Sequence, residues 1–258
     1  MRKPIHSLLG GAEIIAFLAL YQGLQWSVGI RVESTQWAAP MVWVMALAGA
    51  LYYFWYSPVH LHGDTSFERG FIWGGHSGTE PGVWRNAYRP YAGFTLVGVI
   101  VLIIWAWQRD PNFIVNTNWK SFGIRLPGYV VSAFAQAMFF YGFILTRLRH
   151  MIPDSAGSGA AWRHRLSVAL VATICFAAFH LPNPLLMAVT AIAGFFWAWI
   201  FYRYPNLLLL ALSHAVLGNL LHRVVQVHMR TGPFYGQPDR HVIRHIIPGL
   251  RGIIGDMF

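Results

Sequence analysis

Charge is what this chain has least of. Only 11% of its 258 residues are Asp, Glu, Lys or Arg, against roughly 25% in an ordinary soluble domain. So few charged groups cannot clothe a water-facing surface of this size, which excludes a soluble globular protein. Acids are scarcer still: nine, against nineteen basic residues, of which only two are lysines. There is one cysteine, Cys175, inside an apolar run. A disulfide framework is therefore excluded, and the redox compartment is not readable. No cleaved leader is expected at the start, because the first apolar segment is too long and lacks a small-residue cleavage site. The arginines are scattered between apolar runs and form no basic stripe interleaved with aromatics, so nucleic acid is set aside as a partner.

What is present is apolar: 56% of residues are hydrophobic and 16% aromatic. A helix needs about 20 apolar residues to cross hydrocarbon. The expected spans are residues 8–30, 37–55, 91–107, 128–148, 166–180, 184–202 and 207–224. The fold class is therefore all-α, a polytopic transmembrane bundle over residues 1–224 with about seven spans. Trp26, Trp37, Tyr52, Tyr53, Trp55 and Tyr56 cluster at span ends, as interfacial aromatics do. The net charge of +10 then reads as anchoring to anionic lipid, and the bilayer is the first partner. The tail, 225–258, sets arginines among isoleucines and is expected to lie at the interface or to dock.

Basic residues orient the chain. With the N-terminus inside, Arg2, Lys3, Arg69, Arg85, Arg89, Arg147, Arg149, Arg163, Arg165 and Arg203 fall on the inner side. Arg31, Arg109, Lys120 and Arg125 fall outside. This favours a cytoplasmic N-terminus in a bacterial inner membrane, although it leaves the arginine-bearing tail outside. The longest polar connection, 57–90, holds His60, His62, Asp64 and His76. His60-x-His62-x-Asp64 has metal-ligand spacing but no second cluster, and a solvated loop is the expectation.

The densest apolar stretch is 175–220, and it contains two histidines, His180 and His214. An ionisable side chain at membrane depth is a functional-site candidate. The bland alternative is a neutral histidine bonded to a neighbouring helix. The LPNP turn at 181–184 separates two spans there, with proline placed where a helix tolerates it. One acid, Glu13, falls inside an expected span. The other eight fall in connections or the tail.

Two runs in this stretch, Phe176-Ala177-Ala178-Phe179-His180 and Ser213-His214 through Asn219, resemble motifs of the CPBP (Abi) intramembrane proteases, the family of the CAAX prenyl endopeptidases. A third, Gln136-Ala137 through Tyr141-Gly142-Phe143, aligns in outline with that family's Glu-Glu motif. The resemblance covers about 132–220, a CPBP-like core. It implies a site at Gln136, His180, His214 and Asn219, where a glutamate activates water, with or without a metal, and histidine and asparagine stabilise the oxyanion. This chain departs from the pattern. Gln136 and Ala137 stand at the glutamate positions and Tyr141 at the arginine. Gly218 takes the asparagine position, and Asn219 follows one residue late, turned about 100° away on a helix.

Gln136 cannot accept a proton, and losing a general base costs on the order of 10²–10⁴ in rate. A zinc ion on His180 and His214 would lack an anionic ligand, though His222 could add a third nitrogen. Zinc is thus implied only for an active site. Three readings follow. One is a non-catalytic CPBP-like subunit that binds other membrane proteins. A second is an active endopeptidase in which Glu13 replaces the lost carboxylate, although pairing of Glu13 with an arginine is preferred. A third, weaker one is a haem or pigment site on His180 or His214.

Overall fold

The computed structural model describes residues 4–31, 38–71, 83–153 and 159–236. These residues are helical with short connections, and no strand occurs among them. In chain order the helices are α1 (Pro4–Arg31), α2 (Ala38–Leu51), α3 (Trp84–Arg109), the single turn α4 (Phe113–Asn116), α5 (Trp119–Ala137), α6 (Thr146–Met151), α7 (Ala160–Ala178), α8 (Pro184–Arg203) and α9 (Leu207–Arg223). Two stretches have wider, π-helical turns: Tyr52–Leu61 prolongs α2, and Met138–Leu145 joins α5 to α6. A short 3₁₀ turn, Gly232–Phe234, follows α9.

Helix starts follow sequence chemistry. Asn118, Asn183 and Asn206 precede α5, α8 and α9. Each side-chain oxygen accepts from a backbone N–H three residues on, at 2.9, 3.0 and 2.9 Å. Such caps satisfy amides that the first turn leaves open. Pro184 then occupies the first helical position of α8.

Helices α7 and α8 pack as an antiparallel hairpin, α5 and α9 pack antiparallel although three helices separate them in the chain, and α3 lies along α9. The Thr95 and Ser213 hydroxyls are hydrogen-bonded at 2.7 Å, and Arg109 donates to the Val225 carbonyl at 2.9 Å. Helices α3 and α9 therefore run side by side in the same direction. The core is aromatic: Phe140, Tyr141, Phe143, Phe176 and Phe201 are buried. Outward positions on α3 are apolar, with Leu96, Ile100 and Ile104 exposed. In water that surface would be unfavourable, whereas in hydrocarbon it is the matching one.

Three helices, Trp84–Arg109, Trp119–Met151 and Pro184–Arg203, are long and apolar enough to cross a membrane. Leu8–Gly23 and Leu207–Arg223 are shorter apolar segments, and α7 is not among them. The expected count of seven spans is therefore not established. The long α5–α6 helix contains the expected fourth span and begins at Trp119, nine residues before it.

The connection after α2 is a clear correction. Two of its polar residues are not solvated: His62 and Asp64 are 8% and 7% exposed, while His60, Thr65 and Ser66 face outward. The chain here is drawn into the bundle by charge. Arg147, 1% exposed, pairs with Asp64 and lies 3.7 Å from Glu13. Beyond it, Gly70 accepts from the Leu207 amide at 3.0 Å. His76, part of that connection and most of the expected docking tail, 237–258, lie outside the described residues.

Candidate functional site

A cavity of about 650 Å³ lies among α3, α5, α8, α9 and the end of α7, within the range typical of small-molecule sites. Each helix delivers particular groups to it. From α5 come Arg125, Tyr129 and Gln136; from α9 come His214, Gly218 and His222; His180 closes it from the turn after α7. Apolar side chains, among them Phe94, Leu102, Trp197 and Leu217, supply most of the wall.

The structure brings His180 and His214 together on this cavity, with the Phe176 ring between them. Its centroid is 5.1 Å from the His180 ring and 5.8 Å from that of His214. His180 Nδ1 is 2.9 Å from the Phe176 carbonyl. A carbonyl only accepts, so Nδ1 carries the proton and Nε2 is left as the acceptor. The His214 ring lies 4.7 Å from the Trp197 ring, and its buried Nδ1 has no hydrogen-bond partner among the described residues. Gln136 reaches the same cavity, and its amide donates to Ser132 at 3.3 Å. Ala137 and Tyr141 are buried behind the wall, and the Tyr141 hydroxyl faces the Gly194 carbonyl at 3.5 Å.

Asn219 takes no part in the lining. Helix α9 is continuous through it, so the neighbouring Gly218 faces the cavity while Asn219 donates to the Phe122 carbonyl at 2.9 Å. Glu13 is not in the lining either. Its carboxylate accepts from Tyr52 at 2.7 Å and Ser57 at 2.6 Å, and His62 Nε2 lies 2.9 Å away. With Arg147 3.7 Å off, Glu13 is committed to an ion network between α1 and α6.

Among the described residues, no Asp or Glu lines the cavity. The donor set therefore does not fit a zinc ion that needs an anionic ligand beside histidine. His180, His214 and His222 do not gather their nitrogens as a three-ligand group. The described residues that do so, within 4.8 Å, are Asp64, Glu68 and His150, on the far side of the bundle. There Arg147 already pairs with Asp64, and Thr65 donates through both its amide and its hydroxyl to Glu68.

The sequence did not single out Arg125, Tyr129 or Trp197 as site residues. Their signal lies in spacing: Arg125, Tyr129, Ser132 and Gln136 recur every three or four residues, which puts them on one face of α5.

Fold and cavity together define a class: an all-helical protein with membrane-spanning helices around an apolar cavity that holds a pair of histidines. Residues 118–220 match the family model for the type II CAAX prenyl endopeptidase Rce1-like proteins, and so carry an Rce1-like domain of the CPBP family. The match begins at the cap of α5 and ends within α9, which takes in Arg125 and Tyr129 ahead of the stretch read from the motifs alone. No curated protein and no solved structure matches the chain.

Proposed function

We propose that this protein is a non-catalytic Rce1-like membrane protein that retains the family's cavity and histidines as a binding or structural unit acting with other membrane proteins. The observation that carries the reading is that, among the described residues, no carboxylate joins His180, His214 and Gln136 in lining the cavity. Water attack on an amide needs a base within hydrogen-bond reach of the water. A glutamine cannot serve, and the other family positions hold alanine, tyrosine and glycine. The alternative of an active endopeptidase needs Glu13 to reach the cavity, and Glu13 is held by Tyr52, Ser57 and His62.

The composition supports a multi-pass protein of about seven spans in a bacterial inner membrane. The arginine asymmetry supports a cytoplasmic N-terminus. The test is to purify the protein in mild detergent and assay it against prenylated and unprenylated peptides, beside His180→Ala and Glu13→Gln. The expected result is no cleavage by the parent, with a co-purifying membrane protein retained by His180→Ala. Cleavage abolished by both substitutions would overturn the proposal and establish a relocated active site.

A further inference from the structure

The cavity has two chemically different ends. Because α3 and α9 run in the same direction, His214 lies toward Phe94 and Trp197, whereas His222 lies toward Trp105 and the Arg109 end. The second end is basic. Arg125 lines it, and Arg125 and Arg223 are close enough to act electrostatically on each other, on His222 and on Tyr129. The Tyr129 hydroxyl bonds His222 Nδ1 and so fixes that ring. Neither arginine forms an ion pair among the described residues. Arg125 Nη1 and Arg223 Nε and Nη2 are buried without hydrogen-bond partners there. Two neighbouring guanidinium groups with buried, unbonded donors are unfavourable until an anion arrives. The planar guanidinium fork suits carboxylate and phosphate oxygens.

The rest of the cavity is apolar and opens sideways. Val97 and Val101 on α3, with Ile192 and Phe196 on α8, line it and are also 45–65% exposed on the lipid-facing surface. A hydrocarbon chain can therefore pass between α3 and α8 without leaving the membrane.

We propose that the cavity binds a membrane amphiphile with an anionic carboxylate or phosphate head. The head sits at Arg125, with Arg223 adding positive charge beside it, and the chain runs along α3 and α9 toward His214. This rests on the reading of the cavity as a binding site and names its ligand class. The head is recognised by charge and the chain by apolar burial alone, so chain length is selected weakly and head charge strongly.

The test uses the full chain purified in nonionic detergent. Binding is read by native mass spectrometry against three probes: oleate, palmitoyl-oleoyl phosphatidylglycerol and dioleoylglycerol. One anionic amphiphile per protein is expected, and dioleoylglycerol should be retained at least about tenfold more weakly, the scale set by charge-assisted hydrogen bonds. Arg125→Gln and Arg223→Gln should each weaken the anion by about tenfold or more. Arg85→Gln, at the exposed opposite end of α3, should leave it unchanged. Ala193→Phe should exclude all three probes by filling the cavity. Should that variant fold poorly, the arginine variants carry the test. Preference for oleate identifies a carboxylate head, and preference for the phospholipid a phosphate head. Equal retention of dioleoylglycerol, or full binding by both arginine variants, overturns the proposal while leaving an apolar binding cavity. Retention of none of the probes overturns both.

Discussion

Replacing Arg147 by methionine should be among the most damaging single changes outside the cavity. The guanidinium is 1% exposed, and its partner Asp64 is equally shut off from water. The neighbouring Glu13 carboxylate is 4% exposed. Methionine keeps most of the length and apolar bulk of arginine, so the lost volume is small. What remains are two buried carboxylates that have lost the arginine between them, with His62 beside Glu13 and His150 3.9 Å from Asp64. Removing one partner of a buried pair costs about 3–5 kcal/mol. Glu13→Gln is the milder change. The amide oxygen can still accept from Tyr52 and Ser57, and Asp64 keeps Arg147, so the cost is about 1–2 kcal/mol. For a chain of this size each kcal/mol shifts the unfolding midpoint by about 2–4 °C, so Arg147→Met should lower it by about 6–20 °C. Thermal unfolding in detergent, followed by size exclusion of the surviving monodisperse protein, measures the shift. The double variant should lose less than the sum of the two single losses, because each breaks the same network. A smaller loss for Arg147→Met than for Glu13→Gln, or strict additivity, would refute the coupling described between α1 and α6.

Ser213→Ala should cost about 1–3 kcal/mol, because it leaves the buried Trp197 indole N–H, now 3.0 Å from the hydroxyl, without an acceptor; the same thermal assay reads it. Gly194→Ala should cost about 1–3 kcal/mol by overpacking, since a Cβ there would meet the fully buried Phe176 ring at 2.8 Å. Its measured signature is a lower midpoint that Phe176→Leu partly restores. Asn183→Ala removes the cap of α8 and the amide that donates to His228 and Arg230 at 2.7 and 3.2 Å. About 1–2 kcal/mol should be lost, with faster proteolysis after α9.

Much of this was legible in the residues, for identifiable reasons. Continuous apolar runs bounded by Asn, Pro and Arg mark α8 and α9 closely, because a helix in a bilayer has little choice of composition, whereas α3 starts at Trp84, seven residues before its expected span. His180 and His214 stand out for the same reason: each is an ionisable side chain in a largely apolar segment. The one-residue delay of Asn219 was also readable, since α9 keeps helical phase and sends it to Phe122. The buried connection was not readable. Locally, His62 and Asp64 look like loop residues; their burial is made favourable by remote partners, Glu13 beside His62 and Arg147 beside Asp64. The basic end of the cavity escaped for a similar reason. Arg125 and Arg223 sit near helix ends, where sequence alone suggests an interfacial anchor.

The wide turns of Met138–Leu145 act as a phase converter in a single rod of 33 residues, Trp119–Met151. Upstream of them the rod addresses the cavity through Arg125, Tyr129 and Gln136. Downstream it addresses the ion network through Arg147. Deleting one residue within those turns would rotate one half against the other by about 100°, and no single setting would then serve both. While the turns persist, each half keeps its own set of partners. A substitution at Gln136 therefore touches none of the groups that Arg147 holds, and one rod can be altered at the cavity with its ion network left in place.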